Sequence, residues 1–91
     1  MRTIHLVQTK GDDWFVRTTS GGDIVHSTEI YSSASHAMRA FGAEGRNNPF
    51  ARMCVERPGA KPTVVRKGRP APRADDVHAD VMAAARAALK R

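Results

Sequence analysis

The sequence contains one cysteine, no apolar run of membrane-spanning length and no apolar segment typical of a leader peptide. Cys54 is the single thiol, so an intramolecular disulfide is excluded and stability must come from packing. No apolar run approaches the roughly 20 residues that a transmembrane helix needs. The N-terminal residues lack the apolar core of a signal peptide. These absences predict a soluble, cytoplasmic protein with no membrane contact.

Motifs of catalysis and metal binding are also missing. No His-x-x-x-His or Cys-x-x-Cys spacing occurs among the cysteine and the four histidines, which are His5, His26, His36 and His78. His5 and His26 could meet on neighbouring strands, although surface or half-buried histidines are the simpler interpretation. Cys54 lies between Met53 and Val55, which favours a buried, inert thiol. We therefore expect no catalytic residue, no metal, no cofactor and no enzymatic activity.

Acidic residues are nearly absent from the middle of the chain. The 91 residues carry a formal charge of +6. Residues 46–73 hold eight basic side chains and one acidic side chain, a net charge of +7, whereas residues 1–45 sum to −1 and residues 74–91 to 0. Concentrated charge attracts a polyanion more strongly than dispersed charge. The excess of 11 Arg over 4 Lys is also typical of a GC-rich genome, so part of it can reflect codon usage.

The first 45 residues predict three strands and a helix. Thr3–Gln8, Trp14–Thr19 and Ile24–Ser27 alternate apolar and polar positions or are rich in aromatic and β-branched types. Gly21 and Gly22 form a hairpin turn between the second and third of them. We expect Ser33 to cap a helix that ends at Gly42 or Gly45. Its apolar stripe consists of Ala34, Ala37, Met38 and Phe41.

The remaining residues predict a short second hairpin and a final helix. Residues 51–56 and 63–66 have strand character, and a Pro-Gly turn lies between them. The final helix begins near Asp75 and Asp76, whose charges suit a helix N-terminus. Its apolar stripe is Val77, Val81, Ala85 and Leu89. We predict one α+β domain with a three-stranded antiparallel sheet and covering helix (1–45), a basic hairpin and linker (46–73) and a C-terminal amphipathic helix (74–91).

Part of the first unit resembles a known repeat. Gly22, Ile24, Ser27, Glu29, Tyr31, Ser32 and Ser33 match the repeat of the YegP-like family, and Trp14, Phe15 and Arg17 suit the strand that precedes it. Gly21 replaces the usual Asn of that repeat, and Ile30 replaces its usual Gly. The similarity covers residues 13–42. It implies a βββα unit and adds little about function.

A second resemblance lies in the basic segment. Residues 66–73 look like an AT-hook, with the Gly-Arg-Pro core at residues 68–70 and Lys67 in place of the preferred Arg. The resemblance implies that Arg69 enters a narrow minor groove while flanking cations meet phosphates. A flexible basic linker is the alternative interpretation. Our candidates for binding DNA or RNA are Arg57, Lys61, Arg66, Lys67, Arg69 and Arg73.

Two functions remain open at this point. The first is a small non-enzymatic accessory protein that binds nucleic acid through residues 46–73. The second is a protein-interaction module, such as a phage- or host-encoded regulator that binds a partner protein through its sheet or C-terminal helix. For the second function the candidate contacts are Trp14, Phe15, Val77, Val81 and Leu89. The narrow, alanine-rich stripe of the last helix would also suit a homodimer.

Overall fold

The fold was analysed in a computed structural model that describes residues 2–68 and 77–90. Its elements follow the chain as β1 (Arg2–Gln8), β2 (Trp14–Ser20), β3 (Asp23–Ser27), α1 (Ala34–Asn47), β4 (Arg52–Glu56), β5 (Thr63–Arg66) and α2 (His78–Leu89). The α+β class predicted from the sequence is confirmed. No described helix has the length and apolar character needed to cross a membrane.

The strands form one mixed sheet in the order β3-β2-β1-β4-β5. A three-stranded sheet was therefore an undercount, because β4 pairs with β1 in parallel and joins the predicted second hairpin to the first unit. The other neighbouring pairs are antiparallel. A parallel pair needs a crossover connection, which α1 provides. The sheet thus runs across the boundary that the charge map placed after residue 45.

Alternation along the strands gives the sheet two different faces. Ile4 and Leu6 of β1 are fully buried, as are Val16 of β2 and Met53 of β4. Both helices contact this side of the sheet, α1 through β1 and β2 and α2 through β4 and β5. The intervening residues, such as His5, Arg17 and Cys54, belong to the opposite face. We call this second side the open face, because neither described helix packs on it.

The first helix begins after Ser33, as predicted, but Ser33 makes no side-chain cap hydrogen bond. Its hydroxyl instead lies 2.8 Å from that of Ser35. The helix also continues past the two glycines that were expected to end it. A Cβ on Gly42 would lie 3.2 Å from Met82 Cε, and one on Gly45 would lie 2.6 Å from Met53 Cε. These glycines therefore allow α1 to approach α2 and β4 closely.

The second helix buries most of its predicted stripe. Val81 and Ala85 are in the core, together with Met82 and Ala88, while Leu89 is half-buried against it. Val77 is the exception, since 49% of its surface is exposed. It is the N-cap residue of α2 and lies outside the helix proper.

Candidate functional site

The four predicted nucleic-acid contacts that the structure describes do not form one exposed patch. Lys61 and Lys67 are exposed, but they flank the two ends of β5. Arg57 is half-buried, and its Nε donates to Gln8 Oε1 at 3.2 Å while Nη1 donates to the Ala88 carbonyl at 3.5 Å. Arg57 therefore helps to attach the end of α2. The remaining candidates are Arg66, which is buried, and Arg69 and Arg73, which lie outside the described residues.

Arg66 was expected to face phosphate, and this expectation needs correction. Its side chain is 8% exposed. Its guanidinium donates to the carbonyls of Ala51 at 3.0 Å, Gly45 at 3.0 Å and Asn48 at 2.6 Å. The helical partner of the Gly45 carbonyl would be residue 49, and Pro49 has no N–H. Arg66 supplies that missing donor and so closes the C-terminal end of α1.

The residues that were predicted to contact a partner protein also lie in different parts of the structure. Val81 is 4% exposed and belongs to the core. Phe15 lies on the open face, where the Arg17 guanidinium lies 5.7 Å from its ring centroid. Trp14 and Leu89 are on the helical side of the sheet, where both line one cavity. Trp14 and Phe15 point to opposite sides because they are adjacent in a strand, so they cannot serve one interface together.

A groove lies between α1 and α2. It consists of two adjoining cavities of about 610 and 380 Å³ that share Met38, Arg39, Met82 and Arg86. Met38 and Met82 form the apolar floor of both cavities, and Trp14 and Leu89 extend this floor in the first cavity. We call this feature the interhelical groove.

The rim of the interhelical groove is basic. Arg39 and Arg46 come from α1, while Arg86 and Lys90 come from the end of α2. None of the described residues that line either cavity is acidic. His78 lies in the same groove, and burial followed by the positive charges of Arg46 and Arg66 lowers its pKa below the ordinary value of 6.5. The groove thus combines an apolar floor with a positive potential.

The linear charge map missed this rim for an identifiable reason. Arg39 belongs to a segment with net charge −1, and Arg86 and Lys90 belong to a segment with net charge 0. Among the described residues of those segments, the acidic side chains, such as that of Asp80 in α2, do not line the groove. The helical spacing between Arg86 and Lys90 is the signal that was available, since residues four apart share one side of a helix.

The open face carries a second cluster of reactive groups. His5 pairs with Cys54 across the parallel β1–β4 ladder, and Glu56 follows two residues later on the same side. Cys54 Sγ lies 3.4 Å from His5 Nδ1 and 3.9 Å from Glu56 Oε2. His5 Nδ1 also contacts Glu56 Oε2 directly. His5 and His26 do not meet, because β2 separates their strands.

This cluster lacks the geometry of a nucleophilic triad. A catalytic histidine uses one ring nitrogen for the nucleophile and the other for the carboxylate. In His5 the same Nδ1 faces both Cys54 and Glu56, while Nε2 lies 3.1 Å from Thr19 Oγ1. Burial and the negative charge of Glu56 raise the pKa of Cys54 from 9.0 to about 11. The thiol is therefore protonated near neutral pH and is a poor nucleophile.

No family model, curated protein or solved structure matches the chain. The similarities to the YegP-like repeat and to the AT-hook stay predictions.

Proposed function

We propose that this chain is a non-enzymatic binding protein whose interhelical groove takes an acidic amphipathic helix from a partner protein. The observation that carries the proposal is the pairing of an apolar floor with four cationic side chains and no acidic one among the described lining residues. Helix-in-groove recognition places apolar anchors in a hydrophobic channel, and flanking charges fix orientation and partner choice.

The floor favours a peptide over a nucleic acid. Met38 and Met82 line both cavities, and methionine adapts its shape to varied apolar side chains. A phosphate backbone would meet the rim cations but would leave this floor in contact with water. An amphipathic helix satisfies both parts, because its apolar stripe covers the floor while its acidic flanks meet Arg39 and Arg86.

The charge of the rim disfavours a second copy of this chain as the occupant. Two copies that met symmetrically across the groove would present the same surface to each other. Arg39 and Arg86 of one protomer would then approach the same cations of its partner. Like charges repel at such distances, so an acidic partner suits this surface better than a homodimer.

The proposal is tested with a synthetic amphipathic peptide of roughly 15 residues, long enough to form a helix on binding. The peptide carries Leu at i, i+3, i+4 and i+7 and Glu on the flanking positions. Trp14 is the single tryptophan and lines the groove, so its fluorescence reports occupancy. We expect saturable binding that weakens with salt, and no response to the same peptide with Lys in place of Glu.

Two double variants supply the matched control. R39E/R86E reverses two rim charges, and K61E/K67E reverses two exposed charges that do not line the groove. The first should weaken peptide binding at least tenfold, whereas the second should leave it within about twofold. Equal binding by both variants, or an unchanged Trp14 signal with the wild-type chain, would refute the proposed site.

Nucleic-acid binding through residues 46–73 is the second candidate function, and the +7 charge of that segment supports it. Lys61 and Lys67 are its exposed described contacts, and Arg69 and Arg73 complete the set outside the described residues. The same two double variants discriminate the functions. If K61E/K67E loses affinity for an A·T-rich duplex and R39E/R86E does not, the basic segment is the binding surface. No duplex binding near physiological salt removes this candidate.

A further inference from the structure

The cluster on the open face contains three different metal-ligating groups. One donor atom each from His5, Cys54 and Glu56 lies within 4.8 Å of the other two. Cys54 is 4% exposed, and the side chains of His5 and Glu56 are 18% and 26% exposed. The three side chains come from adjacent strands of one sheet, so the backbone holds their relative positions.

Two of the three donor separations are close to those of a tetrahedral zinc centre. With typical bonds to zinc, the sulfur–nitrogen and sulfur–oxygen edges of the tetrahedron are about 3.6 Å, and the nitrogen–oxygen edge is about 3.4 Å. The distances from Cys54 Sγ are 3.4 Å to His5 Nδ1 and 3.9 Å to Glu56 Oε2. The direct contact between His5 and Glu56 would have to open, which a rotation of the Glu56 side chain can achieve.

Neighbouring groups orient the two half-buried donors. Thr19 Oγ1 lies 3.1 Å from His5 Nε2, so the hydroxyl can accept the Nε2 proton and leave Nδ1 with its lone pair. Arg17 lies 3.9 Å from Glu56 Oε1, the carboxylate oxygen that does not face Cys54. The far nitrogen of His5 thus has a hydrogen-bond partner, and the far oxygen of Glu56 has an ion-pair partner. A hydrogen bond to the second ring nitrogen is the usual support for a metal-bound histidine.

We propose that His5, Cys54 and Glu56 bind one zinc ion through Nδ1, Sγ and Oε2, with the fourth position open on the sheet surface. Nitrogen, sulfur and oxygen donors together suit Zn²⁺ and not Mg²⁺ or Ca²⁺, which prefer oxygen alone. The Cys54 thiolate and the Glu56 carboxylate neutralise the charge of the ion. Three protein ligands with one exchangeable position would let the site take a further ligand from solution.

Proton balance gives the proposal a second measurable consequence. The Cys54 thiol must lose its proton to become a ligand. Because this proton is released on binding, zinc affinity should increase with pH.

The test uses the full chain, reduced without a thiol reagent, and titrates it with Co²⁺ as a spectroscopic substitute for Zn²⁺. We expect one equivalent to bind, with a near-ultraviolet thiolate-to-cobalt band and visible bands of a tetrahedral ion. One equivalent of Zn²⁺ should then displace the cobalt. A wild-type chain that shows neither band at equimolar cobalt refutes the site, and this result does not depend on any variant folding.

Variants assign the ligands. C54S should abolish the thiolate-to-cobalt band, and H5Q and E56Q should weaken cobalt binding more than tenfold. T19V should weaken it about tenfold through the orientation of His5. H36Q alters an exposed helical histidine and should bind as the wild type does. Far-ultraviolet circular dichroism checks that each chain is folded. A folded C54S chain with an unchanged cobalt spectrum would overturn the assignment.

Discussion

Replacing Arg66 with methionine tests the internal function of this arginine. The side chain was predicted from the sequence to bind phosphate, but it is buried and bonds three carbonyls at the junction of α1, β4 and β5. Methionine fills much of the same space without a charge or a hydrogen-bond donor. The variant R66M therefore removes the hydrogen bonds and keeps most of the packing.

The magnitude follows from the carbonyls that lose their donor. The Asn48 carbonyl still accepts from Ala51 N at 3.0 Å, whereas the Gly45 carbonyl faces the donorless Pro49. A typical net hydrogen bond contributes about 1 kcal/mol, and bonds from a charged donor contribute more. Removal of the buried charge offsets part of this loss. We expect R66M to lower the free energy of unfolding by about 3 kcal/mol, out of roughly 5–14 kcal/mol for a domain of this length.

Urea denaturation, followed by circular dichroism, measures this difference. The matched control is R52M, because Arg52 lies on the neighbouring strand and is exposed. It should change the free energy of unfolding by less than about 0.5 kcal/mol. If R66M costs less than about 1 kcal/mol, or no more than R52M, the guanidinium does not stabilise this junction and the reasoning fails.

Three further predictions concern glycine, threonine and histidine. G68A should destabilise the chain by about 2 kcal/mol more than G59A. Both glycines have positive φ, but a Cβ on Gly68 would lie 2.6 Å from the Phe50 carbonyl oxygen, whereas one on Gly59 meets open space. Equal urea midpoints for the two variants would contradict this. T18V should raise the free energy of unfolding by about 1 kcal/mol, because the Thr18 hydroxyl is buried with no hydrogen-bond partner among the described residues; a lower value would contradict it. Because the pKa of His78 is lowered in the folded chain, the unfolded chain binds a proton at a higher pH than the folded chain does. The free energy of unfolding should therefore fall as the pH drops below 6.5. H78Q should reduce this fall in urea titrations at several pH values.

The sequence predicted the local elements well, because their signals are local. Ile4 and Leu6 alternate with polar residues, and this period of two predicts both β1 and its buried side. The helical spacing of Ala37, Met38 and Phe41 predicts α1 and the face that it buries. The second hairpin was also predicted near its observed bounds. Each of these elements depends on residues a few positions apart.

The functional geometry depended on contacts between distant residues. The parallel pairing of β1 with β4 brings His5 to Cys54 across 49 positions, and neither residue carries a local metal-binding spacing. The interhelical groove combines Arg39 with Arg86 in the same way, although each lies in a segment with little net charge. Such pairings follow from the arrangement of whole elements, so the one-dimensional pattern does not reveal them.

Arg66 illustrates the division between sequence and tertiary structure. Its place in a basic, β-branched segment determined that it would lie in or beside a short strand, and β5 ends with it. Whether its charge faced solvent or protein depended on the carbonyls left at the end of α1, 18 or more positions earlier in the chain. The sequence alone determined the elements, the alternation of faces and the total charge. The tertiary structure decided which charges remain outside, because burial is set by packing between elements distant in sequence.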